Sequence, residues 1–226
     1  MLLAQGHDLI ELVFSAVFGF ERDEPAPAED QVQRWVSAAQ TGDTDSARFL
    51  YRTYVAKVYR SVRPLCCDDA EAEDVTQEAF ARALEALDSY APRTNARFIS
   101  WLLMIAMNVA RKNHRRRRRT VNTEPQELVD AADRDNHTGD DPVGGALDER
   151  ALQRALAAAL DALDAREREI VTLRYGGELD AKEISGITGL EHAHVRKIAQ
   201  RARDALRVEI ERILGAQSTM TQGDAR

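Results

Sequence analysis

The 226-residue sequence has few cysteines, no long uninterrupted apolar run and little of the alternating pattern that marks β-strands. Its two cysteines, Cys66 and Cys67, are neighbours, and adjacent residues rarely form a disulfide because paired Cα atoms are normally well separated. We therefore expect a reducing, cytoplasmic environment, with inert thiols favoured over a redox-sensing pair. Runs of alternating Val, Ile and Thr are missing, so the sequence predicts an all-α chain.

The first twenty residues are apolar, but Asp8 and Glu11 interrupt them and no basic segment precedes them. Neither a signal peptide nor a membrane-spanning helix fits, and we expect no membrane insertion. A helical stripe recurs at spacings of three and four, formed by Ile10, Val13, Val17 and Phe20. This stripe predicts an accessory helix over residues 2–20 that docks on the rest of the protein or on a partner.

Signatures of catalysis are also missing. The sequence has no glycine-rich nucleotide loop, no cysteine or histidine cluster with metal-ligand spacing and no nucleophile constellation. His192 and His194 lie two residues apart, so on a helix they point in different directions and do not resemble a metal pair. We therefore predict a protein that is not an enzyme and takes neither cofactor nor metal.

Charge is distributed unevenly along the chain. The net charge of -7, from 31 Lys and Arg against 38 Asp and Glu, argues at first against nucleic-acid binding. Residues 68–88 and 124–147 are acidic, whereas residues 89–123 contain no acid. The nine basic residues of that middle segment are Arg93, Arg97, Arg111, Lys112, Arg115, Arg116, Arg117, Arg118 and Arg119. Only charges close to a phosphate act at physiological salt, so this segment predicts a local polyanion site.

Apolar periodicity divides the chain into two small helical domains. Residues 31–119 form the first, with a helix stop at Pro64 and a new helix capped by Asp68 or Asp69. Residues 120–146, rich in acids, glycine and proline, predict a flexible linker that keeps the two domains apart. The second domain covers residues 147–214. Residues 1–30 hold the accessory helix with its linker, and residues 215–226 are expected to be a disordered tail.

The second domain contains a helix-turn-helix pattern. Asp180 and Glu183 have the spacing of a capping box, and Gly189 falls where the turn favours positive φ. The inward face of the second helix is predicted to hold Leu190, Val195 and Ile198. Its outward face, suited to a DNA major groove, holds His192, His194, Arg196, Lys197, Gln200, Arg201 and Arg203.

Together these motifs resemble the extracytoplasmic-function (ECF) group of bacterial sigma-70 family factors. AEDVTQEAFARAL (72–84) resembles region 2.2, and FISWLLMIAMNVARKNHRRRRR (98–119) resembles regions 2.3 to 2.4. LDAREREIVTLRYGGELDAKEISGITGL (163–190) with VRKIAQRARDAL (195–206) resembles region 4. The resemblance covers residues 35–214 and implies that core RNA polymerase, through its β′ and β subunits, and promoter DNA are the partners. An anti-sigma factor is a further partner that it allows.

The resemblance implies roles for individual residues. Asp74, Gln77 and Glu78 match the positions that contact the β′ subunit, and their spacing places them on one helical face. Contacts to the minus 10 element fall on Tyr90, Asn95, Arg97, Asn108, Arg111, Lys112, Arg115, Arg116, Arg117, Arg118 and Arg119. Within this set Tyr90 offers a stacking surface and Asn95 amide hydrogen bonds for a flipped base. Phe98 and Trp101 also suit stacking, although their helical stripe favours a core position.

The helix-turn-helix would read the minus 35 element, but it departs from the usual family pattern. Glu191 replaces a common Ser, Ala193 and His194 replace Gly and Thr, and Lys197 and Ile198 replace Ser and Arg. The promoter sequence that it reads therefore stays open. Two other functions also stay open: a regulator that binds an operator without joining core polymerase, and an arginine-rich RNA-binding protein.

Overall fold

A computed structural model describes residues 9–17, 27–91, 97–121 and 149–223. Within these ranges every regular element is a helix or a helical turn and no strand is present, which confirms the all-α prediction. Most of the predicted linker falls in residues 122–148, and these, like Asn95, lie outside the described residues.

The first part of the chain forms the N-terminal bundle (residues 27–121). Its helices are α2 (Glu29–Gln40), α3 (Thr44–Val62), α4 (Asp69–Glu85) and α5 (Phe98–Val121). Helix α3 ends just before Pro64, as predicted, because proline cannot continue the hydrogen-bond ladder. Of the two predicted caps for α4, Asp68 takes the position, and its carboxylate accepts from the Glu71 N–H at 2.7 Å.

The core of this bundle is built mainly from apolar side chains of its helices. Val58 of α3, Val75 of α4 and Leu102 of α5 are fully buried. The Gln40 side-chain amide donates to the Leu87 and Tyr90 carbonyl oxygens, both at 2.9 Å. These bonds hold the end of α2 against the turn that follows α4.

The last part forms the C-terminal bundle (residues 149–223). Its helices are α6 (Glu149–Asp161), α7 (Ala165–Val171), α8 (Ala181–Thr188) and α9 (His192–Gly223), and a π-helical turn, Thr172–Gly176, follows α7. Helix α9 continues well beyond Leu214, whereas the sequence predicts a disordered tail from residue 215. No proline stands between Leu206 and Gly223 to stop the helix, which explains the difference.

The accessory helix is present as α1 (Leu9–Val17). Ile10, Val13 and Phe14 are buried against α6 and α9, and the Phe14 ring stacks on Tyr175 at a centroid distance of 5.6 Å. Helix α1 therefore docks on the rest of its own chain, which is one of the two alternatives that the sequence predicts.

The two bundles share one hydrophobic core. Leu173, Ile184 and Val195 of the C-terminal bundle belong to the same buried cluster as Val58 and Leu102 of the N-terminal bundle. The expectation that the linker keeps the domains apart is therefore wrong for this structure. A linker limits how far two domains can separate, but it does not oppose the burial of apolar faces that brings them together.

Candidate nucleic-acid interface

The predicted polymerase-binding residues lie on the outer side of α4. Asp74 and Gln77 are exposed, and Glu78 is half-buried and forms an ion pair with Arg82 one turn later. Val75, on the other side of the helix, is fully buried. Helix α4 therefore has one face that packs in the bundle and one that faces outward. The outward face presents the Asp74 carboxylate, the Gln77 amide and the Glu78 carboxylate, which is paired with Arg82.

The basic end of α5 presents a row of polar and cationic side chains. Asn108, Lys112, Arg115 and Arg116 are exposed. The side chains of Arg118 and Arg119 lie outside the described residues. The row fits a surface that follows a nucleic-acid backbone, because Lys and Arg neutralise phosphates and amides can bond base edges.

Arg117 is turned toward its own bundle. Its guanidinium donates to the Glu71 carboxylate at 2.6 Å, and Glu71 also accepts from the Cys67 N–H at 2.8 Å. Burial raises the pKa of Glu71, but the bonds from Cys67 and Arg117 outweigh it and lower the pKa overall. Arg117 thus links the end of α5 to the start of α4.

Two predicted minus 10 contacts bind carboxylates of the C-terminal bundle while their side chains stay partly exposed. The Arg97 guanidinium donates from Nε and Nη2 to the two Glu183 carboxylate oxygens, both at 2.7 Å. Arg111 forms an ion pair with the buried carboxylate of Glu169. The sequence did not predict that Glu183 and Glu169 bind these arginines. The one available signal was Glu183, but its capping-box spacing indicates only a contact with Asp180 at the start of its own helix.

Tyr90 lies in the core of the N-terminal bundle and not on its surface, where the sequence predicts it. Its side chain is buried, and its ring packs edge-on against Phe98 and lies 4.9 Å from the Trp101 ring. The prediction that Tyr90 offers a stacking surface to a flipped base is therefore wrong in this structure, because the ring completes an aromatic core. Phe98 is buried and Trp101 half-buried in the same core, which confirms the favoured interpretation for both.

The helix-turn-helix forms as the sequence predicts. The Asp180 carboxylate accepts from the Glu183 N–H at 2.9 Å, and the Glu183 carboxylate accepts from the Asp180 N–H at 2.9 Å. Gly189 has φ of 70°, a conformation in which a Cβ would be strained. The Ser185 hydroxyl donates to the Leu190 carbonyl at 2.6 Å and closes the turn.

The first turns of α9 present the predicted recognition residues. His192, His194, Arg196 and Lys197 are exposed, while Val195 and Ile198 are buried as predicted. The remaining members of the set are engaged on their own bundle. Gln200 donates to Asp204 at 3.0 Å, Arg201 pairs with Glu167 at 2.7 Å and Arg203 lies 3.7 Å from Asp204.

A cleft of about 610 Å³ lies beside these residues, between α8, α9 and the π-helical turn. Arg174, His192, Arg196 and Arg203 line it, together with Glu178. The excess of basic side chains suits the cleft to phosphate groups of a nucleic acid that approaches α9.

Neither a metal site nor a membrane span emerges from the described residues. No group of three or more His, Cys, Asp or Glu side chains there is arranged to hold a metal ion. Across the same part of the chain, no helix combines the length and apolar content that crossing a bilayer requires.

Two protein-family models match the chain in the order that the motifs suggest. The model of Sigma-70 region 2 matches residues 50–120, and the model of Sigma-70, region 4 matches residues 159–208. Together they cover more than half of the sequence. Helices α4 and α5 fall in the first match and the helix-turn-helix falls in the second.

Curated relatives agree with these matches. The ECF RNA polymerase sigma factor BldN of Streptomyces coelicolor is 29% identical over 180 residues, which are 79% of this chain and 66% of the relative. The ECF RNA polymerase sigma-E factor of Escherichia coli K12 is 30% identical over 181 residues, which are 76% of this chain and 90% of the relative.

A solved structure shares the fold. The sigma factor RpoE, in complex with the anti-sigma factor NepR from Bartonella quintana, matches with a TM-score of 0.58 at 20% identity. The match covers 73% of this chain and 96% of that chain. With both sigma modules matched and a relative 30% identical over nine tenths of its length, this chain belongs to the ECF group of the sigma-70 family of RNA polymerase sigma factors.

Proposed function

We propose that this protein is a transcription initiation subunit that binds core RNA polymerase and directs it to promoters with minus 10 and minus 35 elements. The observation that carries the proposal is the placement of exposed cations. They lie along α5, within the region 2 match, and at the start of the second helix of the helix-turn-helix. The protein acts by binding and assists strand opening without catalysing a reaction, in the cytoplasm where polymerase works.

Core polymerase would bind the outer face of α4 through Asp74, Gln77 and Glu78. The support is chemical, because this face is acidic and would repel DNA, so that polymerase and promoter use different surfaces. Helix α5 would follow the minus 10 region, where Lys112, Arg115 and Arg116 contact phosphates.

The proposed domains follow the predicted division. Residues 31–119 act as region 2 and residues 147–214 as region 4, with residues 120–146 as the connection. In the second domain Arg196 and Lys197, with His192 and His194, would contact the minus 35 element. An anti-sigma factor is a candidate regulator, as in the RpoE complex.

The test is run-off transcription with purified core polymerase on a promoter selected for this factor. We expect a promoter-specific transcript only when the protein is added. A protein that neither binds core polymerase nor yields such a transcript would contradict the proposal. Binding to a duplex without affinity for core polymerase would instead support an operator-binding regulator.

A further inference from the structure

We propose that Glu71 is a positioning residue for the basic end of α5: it holds Arg117 against α4 and so confines the phosphate-binding cations of α5 to one face. The result is a weaker attraction to DNA of any sequence, which leaves a larger share of the binding to base contacts. The proposal rests on the proposed function, because it assumes that α5 follows a nucleic-acid backbone. The spacing of residues along α5 and the contacts of the Glu71 carboxylate carry it.

Helix α5 has two stripes of residues on different faces. The outward stripe has helical spacing and consists of the exposed side chains Asn108, Lys112, Arg115 and Arg116. The inward stripe recurs at spacings of three and four and consists of Ala106, Ala110, Asn113 and Arg117. Ala106 and Ala110 are buried, whereas Asn113 and Arg117 are half-buried. Arg117 therefore continues the packing face of α5 and not the face that presents the other cations.

The Glu71 carboxylate is itself fixed in place. Glu71 lies in the first turn of α4, which packs against α5. Its carboxylate accepts from the Cys67 N–H at 2.8 Å as well as from Arg117 at 2.6 Å, so the loop before α4 holds the acceptor where Arg117 meets it. The Glu71 side chain is only 19% exposed, and that of Arg117 is 38% exposed. Water therefore screens this pair less than it screens an ion pair on the open surface.

Both terminal nitrogens of the Arg117 guanidinium have neighbours within the N-terminal bundle. Nη1 donates to Glu71, and Nη2 lies 3.4 Å from Nδ1 of His114. Burial lowers the pKa of Arg117, but electrostatic attraction, chiefly to Glu71, outweighs it and raises the pKa overall. A guanidinium binds a phosphate through two parallel N–H donors, so the donors that a phosphate would use are already occupied.

The arginine run needs such a restraint because its members repel one another. Residues 115–119 are five successive arginines, and Lys112 precedes them by one helical turn. Like charges three or four positions apart on a helix are neighbours and destabilise each other. Repulsion favours side chains that spread around the helix, so that cations face several directions. A carboxylate on the neighbouring helix α4 gives Arg117 one fixed direction, away from the outward stripe.

The expected effect on DNA binding follows from the release of counterions. Each phosphate that a protein cation neutralises adds about 0.9 to the slope of log affinity against log salt concentration. One further contact therefore increases the loss of affinity between about 50 and 200 mM salt by a factor of about 3.5. Phosphate contacts contain no sequence information, so an additional one strengthens binding to all DNA alike. By holding Arg117 inward, Glu71 would remove one such contact.

The test compares variants of the full-length protein. Glu71→Gln removes the charge that holds Arg117, while its amide oxygen can still accept from the Cys67 N–H. The matched control is Glu73→Gln, which removes one negative charge from an exposed residue of the same helix. The double variant Glu71→Gln with Arg117→Gln has the net charge of the parent protein. Circular dichroism checks that each variant is folded.

Two measurements report the attraction to a polyanion. Fluorescence anisotropy at a series of salt concentrations gives the affinity for a short duplex that lacks both promoter elements, and the slope of that affinity against salt. Heparin affinity chromatography gives the salt concentration at which each variant elutes, and it provides a value even for a variant that binds the duplex weakly.

We expect Glu71→Gln to steepen the salt dependence of duplex binding by about one in slope, because Arg117 becomes an additional phosphate contact. This variant should also elute from heparin at a higher salt concentration than the parent. Glu73→Gln should keep the slope of the parent, since it releases no cation. The double variant should return to the parent in both measurements, because the released arginine is absent from it.

The proposal is overturned if Glu71→Gln equals Glu73→Gln in both measurements. It is also overturned if the double variant keeps the behaviour of Glu71→Gln, because Arg117 would then not be the added contact. Lys112→Gln tests the proposed function separately, since it should lower the slope by about one if α5 follows a nucleic-acid backbone. An unchanged slope for Lys112→Gln contradicts that role of α5, while the comparison of Glu71→Gln with its control and the double variant still decides whether Glu71 holds Arg117 back.

Discussion

Arg97 and Glu183 form a two-pronged ion pair that joins the two bundles, with both N···O distances at 2.7 Å. Burial raises the pKa of Glu183, but hydrogen bonds from Arg97, Ser100 and the Asp180 backbone outweigh it, and the pKa lies below the ordinary 4.5. The bond to Glu183 in turn raises the pKa of Arg97 more than burial lowers it. The pair is therefore fully charged throughout the physiological range.

The first prediction concerns how the packing of the two bundles against each other depends on pH. A carboxylate whose pKa is lowered by a contact between the bundles stabilises that contact above pH 4.5, and this contribution is lost as the pH falls through the lowered pKa. Arg97 faces Glu29 and Asp180 as well as Glu183. We expect a constant radius of gyration from pH 7 to 5 and expansion of the protein below pH 4.5.

The control for this prediction is Glu183→Gln, which has no proton to take up at this position. Its radius of gyration should show a smaller acid-induced change than that of the parent. Expansion of the parent protein already at pH 6 would contradict the assignment of this step to Glu183.

The second prediction concerns the outer face of α4. Asp74→Lys combined with Glu78→Lys should weaken binding to core polymerase about tenfold or more, because two cations replace charges that match the partner. Binding of the same variant to a minus 35 duplex should stay within about twofold of the parent, since α4 lies in the other bundle. Asp45→Lys, a charge reversal in the exposed first turn of α3, is the control. Equal core affinity of the double variant and the parent would remove α4 from the interface.

The third prediction concerns the recognition residues of α9. Arg196→Ala should weaken binding to the cognate minus 35 duplex by about 1–3 kcal/mol if the side chain bonds a base. If Lys197 contacts a phosphate, Lys197→Ala should weaken binding to all DNA sequences alike. It should also lower the slope of log affinity against log salt concentration by about one. Arg212→Ala removes another exposed cation of the same helix, one that pairs with Glu209, and it should leave both quantities unchanged.

The fourth prediction concerns the adjacent thiols. Burial, with the nearby Glu71 carboxylate as a further cause, raises the pKa of Cys66 to about 12 and that of Cys67 to about 11. The reactive thiolate is therefore scarce at pH 8. Alkylation of the folded protein by iodoacetamide should be on the order of a hundredfold slower than that of free cysteine. Unfolding in guanidinium should restore the ordinary rate, and fast alkylation of the folded protein would favour a redox-sensing role.

Local features of the fold were predictable because they depend on neighbouring residues. The Asp180 and Glu183 capping box, the left-handed Gly189 and the helix stop before Pro64 each follow from the chemistry of a few consecutive positions. The buried stripe of α9 follows equally from its period, as Val195 shows.

Features that depend on distant residues were not predictable in the same way. Tyr90 stands in a polar loop sequence, yet it is buried because Phe98 and Trp101 of α5 close over its ring. Glu183 reads as a capping residue, yet its carboxylate also binds Arg97, 86 positions earlier in the chain. The spacing of residues along one helix does not show which charged residue of another helix will pack against it.

The sequence by itself determined the helical class, the order of the two sigma modules and the stretch of cations over residues 89–123, because periodicity and local charge are properties of neighbouring residues. Only the tertiary structure decided which of those cations face solvent and which are neutralised. Lys112 and Arg115 are exposed, whereas Arg97 and Arg111 bind carboxylates of the other bundle. The reason is physical: an ion pair requires two groups a few ångströms apart, and only the packing of the two bundles brings them together.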